Sequence, residues 1–174
     1  MRSLIFILFS TFCFLFSSAC KRDSVEVYRI EKEVITQKHD IISGTVPAHW
    51  VVSAPSNMQR LRYTIEGNGG ATVSVVSLEG QSGGLLANVN RWRAQIGLDP
   101  IQSERLADAI ETVMINGQEA SRVLLENEQA GQALEVVIVQ RDSTTFFVKI
   151  MGDLTVVKGE SKRFLAFSRQ LNYD

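Results

Sequence analysis

Three times along this 174-residue chain, two runs rich in β-branched and aromatic residues are joined by a stretch suited to a reversing backbone. Leu61 to Glu66 and Thr72 to Leu78 flank Gly67-Asn68-Gly69-Gly70. Ile110 to Ile115 and Gln118 to Leu125 flank Asn116-Gly117, a pair that tolerates the positive φ angles of a tight type I′ turn. Ala133 to Gln140 turns through Arg141-Asp142-Ser143 into Thr145 to Met151, and the near-continuous apolar character of these two runs predicts central strands. Hairpins pair neighbours antiparallel, whereas parallel neighbours would need long crossovers. The fold must therefore be built on an antiparallel sheet.

Two segments switch from period 2 to the helical period. Leu85, Val89, Trp92 and Ile96 fall on one stripe, Asn88, Arg91 and Gln95 lie opposite, and Gly97 stands where a left-handed cap would end the helix. Leu154 to Leu171 places Val157, Phe164, Phe167 and Leu171 on one face. A shorter helix is expected from Ser103, as N-cap, to about Asp108. At the front, the rigid Pro47 and the large Trp50 open an apolar Val51-Val52 pair, and Trp50 is expected to seal one end of the core. The fold class is α+β, with an antiparallel sheet of six or seven strands covered by two main helices.

Ahead of this domain, Leu4 to Phe16 is apolar but shorter than the roughly 20 residues of a membrane span. Arg2 precedes it and Ser17-Ser18-Ala19-Cys20 follows, which is signal-peptide anatomy ending in a lipoprotein-type cleavage and acylation site. Ser17 stands where such sites usually carry Leu, and an ordinary small-residue cleavage site is the competing reading. Cys20 favours acylation, because a lone thiol at a mature N-terminus is a liability whereas the same sulfur carrying diacylglycerol is an anchor. The expected organisation is a signal peptide over 1–19, a lipidated Cys20 with a polar tether over 20–46, and a single domain over 47–174. Within the tether, Val25 to Ile30 alternates and could instead form an edge strand. Lys21 and Arg22 beside the anchor would add about 1 kcal/mol each against anionic headgroups. The expected location is the bacterial cell envelope, facing the periplasm.

Cleavage before Cys20 also removes Cys13, the only other cysteine, so the mature chain has no disulfide and no thiol chemistry in its folded part. The formal net charge is −1, with acids and bases interspersed, and no basic stripe suggests a nucleic-acid partner. His39 and His49 are the only histidines, too few beside Asp40 for a transition-metal site. No Gly-x-Ser-x-Gly elbow is present, and Gly83-Gly84 lacks the Lys-Ser/Thr of a phosphate-binding loop. No cofactor, metal or catalytic residue is expected. The one enzyme alternative rests on Glu104, Asp108 and Glu111, carboxylates near a short helix whose ordinary reading is a solvated face.

The candidate binding face is Asn88, Asn90, Arg91 and Arg93. Asparagine is a poor helix former, so two in three residues imply that their amides are used. Arg91 and Arg93 flank Trp92, a composition enriched where interfaces concentrate energy. The competing reading makes Trp92 core and has the arginines cap carbonyls or pair with acids. The partner would be an envelope protein or a small ligand.

The order of elements, with Met151-Gly152-Asp153 leading into a closing helix that carries Phe164 and Phe167-Ser168, resembles the PsbP-like fold of the photosystem II extrinsic subunit P and of small envelope lipoproteins. The segment GGLLANVNRWRAQIGL is similar to uncharacterised lipoproteins of planctomycete-type bacteria. The resemblance implies a noncatalytic accessory or ligand-binding domain and carries over no functional residue.

Overall fold

The computed structural model describes residues 45–173 other than 57, 68, 69 and 81. Cys20, the signal segment, the alternating stretch 25–30 and His39-Asp40 lie outside the described residues. In chain order the elements are β1 (Trp50–Val52), β2 (Gln59–Ile65), β3 (Ala71–Glu79), α1 (Leu85–Gln95), β4 (Glu111–Ile115), β5 (Gln118–Asn127), β6 (Gln132–Arg141), β7 (Thr144–Asp153) and α2 (Leu154–Ser168).

All three expected hairpins form. Asn116 and Gly117 take φ values of 51° and 79°, the paired positive angles their turn requires. The third turn is tighter than expected: β6 keeps Arg141, leaving Asp142-Ser143 as the reversal, because Asp142 tolerates a φ of 50°. The strands assemble in the order β1-β2-β3-β7-β6-β5-β4, all antiparallel. The chain leaves β3, runs through α1 to the far edge at β4, and meanders back to place β7 beside β3, paired from Ala71↔Gly152 to Glu79↔Thr144.

The helices lie on opposite faces of this sheet, which explains the nearly unbroken apolar run of β6. Ala133, Val137 and Val139 point into the core beneath α2, and Leu134, Val136 and Ile138 point to the core beneath α1. Helix α1 packs the expected stripe of Leu85, Val89, Trp92 and Ile96, with Trp92 edge-on to Phe147 at 5.9 Å. Asp153 caps α2, its Oδ1 accepting from the Thr155 and Val156 amides at 2.9 and 3.2 Å. The helix buries Val157, Phe164 and Phe167 but ends at Ser168. There the Tyr173 hydroxyl donates to the Ser168 carbonyl at 2.6 Å, so Leu171 and Tyr173 reach the core from a turned-back tail rather than from the helix.

Trp50 closes the end of the α2 core, with its ring against Phe167 at 5.2 Å and Tyr63 at 6.1 Å. Its Nε1 donates to Glu160 Oε2 at 3.0 Å, and that carboxylate also holds His49 and Arg163. The expected helix over 103–108 is instead two single turns of 3₁₀ helix, Ser103–Arg105 and Ala107–Ala109. Each closes with an i→i+3 bond, Leu106 to Ser103 and Ile110 to Ala107, since so short a segment cannot offset the cost of an α-helical nucleus. Every described strand, both described helices and both cores fall within the unit Lys38–Asp174, which thus holds a complete core of its own.

Candidate functional site

Helix α1 is entered through a loop that bends sharply: Ser82, Gly83 and Gly84 have φ values of 49°, 86° and 83°. Gly84 offers no capping side chain. Asn88 compensates from one turn inside, its Nδ2 donating to the Ser82 carbonyl at 3.0 Å and the Gly84 carbonyl at 2.9 Å. Its Oδ1 accepts from Arg91 at 2.8 Å. Asn90 grips the loop after the helix in both senses, donating to the Ile101 carbonyl at 2.9 Å and accepting the Ile101 amide at 2.8 Å. Arg93 Nε donates to the Asp99 carbonyl. The amides of both asparagines are thus in use, as their presence in a helix implied, and their partners are the chain's own loops. Of the four candidate residues, Arg91 is the one left exposed.

A cleft opens beside this helix. The β5–β6 ladder stops at Ser121↔Ile138, yet β5 continues to Gln118 against β4 and β6 continues to Arg141 against β7. The strands therefore part, leaving a cavity of about 390 Å³ between them and the start of α1. Leu85, Ala120, Ile138 and Phe147 give it apolar walls; Thr112, Glu119, Ser121 and Gln140 supply polar groups around them. Asn88 lines it as well, which joins the candidate face to the cleft. Thr145, also in the wall, donates its hydroxyl to the Gly80 carbonyl at 2.7 Å and so ties the α1 entry loop to β7.

The three carboxylates of the enzyme alternative do not meet in this cleft. All are exposed, and Asp108 pairs with Arg105 at 2.8 Å while Glu111 pairs with Arg122 at 2.7 Å. A hydrogen bond from its own backbone amide, and then one from Ser103, hold the Glu104 carboxyl below the usual carboxylate range. Among the described residues, no three His, Cys, Asp or Glu side chains converge as metal ligands, and no helix is long and apolar enough to cross a membrane.

Sequence reasoning passed over a second polar system, under α2. Glu135 of β6 is fully buried and receives Arg122 Nε at 2.7 Å; the same guanidinium reaches Glu111 and the Ser161 hydroxyl of α2. Burial alone would lower the Arg122 pKa, but the charges of Glu135 and Glu111 outweigh it and raise it. The signal was present: a lone acid inside Ala-Leu-Glu-Val-Val-Ile-Val demands a cation from the neighbouring strand. The cleft had no such signal, because the parting of two strands leaves no trace in hydrophobic period.

No protein-family model matches the chain, and no curated protein matches it. Among solved structures it is similar to a protein of Bacteroides thetaiotaomicron VPI-5482, at 12% identity and a TM-score of 0.41, over 72% of this chain and 42% of that one. It is also similar to LpqN of Mycobacterium tuberculosis, described as involved in cell envelope biogenesis, at 14% identity and a TM-score of 0.37, over 75% and 79% of the two chains. This chain thus spans less than half the length of the Bacteroides protein. Neither likeness names the PsbP-like fold or the planctomycete-type family, and neither transfers a residue's role.

Proposed function

We propose that this chain is a lipid-anchored protein of the bacterial cell envelope, held by acylated Cys20, whose PsbP-like domain is a noncatalytic binding or assembly module. The observation that carries the binding reading is the parting of β5 from β6 beside α1. It provides a concave site with apolar walls and a few convergent polar groups, the usual composition of a ligand pocket. Its size suits a small ligand or the side chains of an extended segment from an envelope partner. The noncatalytic reading is supported by the dispersal of Glu104, Asp108 and Glu111, two of them neutralised by arginines and the third held ionised, the opposite of a general acid. The anchor is supported by the Ser17-Ser18-Ala19-Cys20 boundary after a short apolar run.

Two experiments test this. In the source bacterium, Cys20→Ala should release the protein from membranes or leave it as an uncleaved precursor, since one acyl chain binds only marginally and stable anchoring takes more. An unmodified mature N-terminus in the mass spectrum of the wild type would end the lipidation reading. A photocrosslinking residue at Gln140, on the cleft rim, should capture a ligand or partner, and Ser121→Trp, which fills the cleft, should abolish capture. Capture unchanged by Ser121→Trp would refute the cleft as the site.

A further inference from the structure

Arg62 of β2 and Lys149 of β7 lie in one cross-strand row, Arg62–Ser74–Lys149–Val136, on the face of the sheet that α1 occupies. Val136 belongs to the core beneath α1, but the β2–β3 half of this face belongs to neither core: Thr64, Thr72, Ser74 and Val76 contribute to none. Neighbouring strands are roughly 5 Å apart, so the backbones of the two residues stand about 10 Å from each other across Ser74. Among the described residues, neither has a carboxylate partner. Among those residues Lys149 Nζ meets only the Gln95 amide oxygen, at 3.1 Å, and Arg62 Nε is enclosed without a partner. Arg91, one turn before Gln95 on the same side of α1, is exposed and, among the described residues, holds only Asn88 Oδ1. Elsewhere Arg105, Arg122, Lys158 and Arg163 each hold a carboxylate at 3.0 Å or less.

The rim of this face is apolar. Val51, opposite Thr64 on this face, and Met58 in the adjoining loop are 46% and 67% exposed, and no charged residue occurs from Trp50 to Met58. They occupy β1 and the β1–β2 loop, at the edge where the chain enters the domain. Cations on one face that lack acidic partners among the described residues, bordered by exposed aliphatic side chains, complement a surface that is anionic outside and apolar just beneath.

We propose that the β2–β3–β7 face docks on anionic phospholipid headgroups, with Arg62, Lys149 and Arg91 meeting the phosphates and Val51 and Met58 at the acyl boundary. The long stems of the basic side chains let their charged ends extend outward from a half-buried position. This contact goes beyond the anchor and does not require acylation of Cys20. It would hold the domain against the bilayer with one face fixed and the cleft side of α1 turned along it.

The test uses the unlipidated unit Lys38–Asp174, which contains every described element and both cores, so its outcome is separate from that of the lipidation experiment. It should cosediment with vesicles of equimolar phosphatidylglycerol and phosphatidylcholine, poorly with phosphatidylcholine alone, and less as salt is raised. Each cation near such a surface contributes roughly a fivefold factor, so Arg62→Gln/Lys149→Gln should weaken binding about tenfold or more. The charge-matched pair Lys158→Gln/Lys162→Gln on α2, over the other face, should leave it unchanged, and Arg62→Lys/Lys149→Arg should retain it. If the double glutamine variant does not fold, Arg91→Gln, at the surface, must still weaken binding. Absence of wild-type binding, or equal loss in the α2 pair, would overturn the proposal. So would binding of inorganic phosphate without affinity for vesicles, which would mark a site for a soluble phosphate instead.

Discussion

Gly152 and Gly159 receive the same substitution with opposite consequences. Gly152 sits in β7 between Ala71 of β3 and Ala133 of β6, where a Cβ would lie 2.4 Å from the Gly70 carbonyl oxygen and 2.6 Å from Ala71 Cα. Non-bonded heavy atoms settle at roughly 3.5 Å, so the backbones must part by about 1 Å. The strain falls where Asp153 donates its amide to the Gly70 carbonyl at 3.0 Å before capping α2. Overpacking of this kind costs about 1–3 kcal/mol, and a weakened ladder bond adds about 1 more. Gly152→Ala should therefore destabilise by about 3 kcal/mol and lower Tm by roughly 10 °C. Gly159, inside α2, has nothing within 4 Å of its Cβ position. Gly159→Ala removes backbone entropy from the unfolded chain and should stabilise by about 0.5–1 kcal/mol. Urea titrations followed by circular dichroism measure both. A loss below about 1 kcal/mol at Gly152, or any loss at Gly159, would refute the steric reasoning.

Trp92→Ala should cost about 3–5 kcal/mol in the same titration, as truncation of a buried aromatic, while Arg91→Ala should leave Tm nearly unchanged because it is exposed and its only partner among the described residues is the Asn88 amide oxygen. Glu135→Ala should cost about 3 kcal/mol by leaving Arg122 beneath α2 with only the exposed Glu111 as counter-charge, and a near-neutral result would show that the buried pair is dispensable. Burial lowers the Lys149 pKa, so the folded state resists its charge, and Lys149→Met should stabilise the domain at neutral pH. The folded protein sheds this proton before the unfolded chain does. The wild type should therefore gain on the variant as pH rises toward the lysine's ordinary range, and a constant difference across that rise would contradict the assignment.

The local elements were legible because each is written in short-range terms. Asn116-Gly117 admits few backbones other than a tight reversal, the stripe Leu85-Val89-Trp92-Ile96 has one period, and the apolar run of β6 announces a strand covered on both faces. The amides of Asn88 and Asn90 were legible as engaged, but their partners were not, since Ile101 lies eleven residues from Asn90 across a loop whose path is set by packing. The closing helix was read three residues too long, since Leu171 keeps the helical period while entering the core from a tail turned back by Tyr173. What only the tertiary structure decided is the pairing of β3 with β7, the parting of β5 from β6, and the alignment of Arg62 with Lys149. Each brings together residues from strands distant in sequence, and hydrophobic period records which face of a strand is buried, never which strand lies beside it.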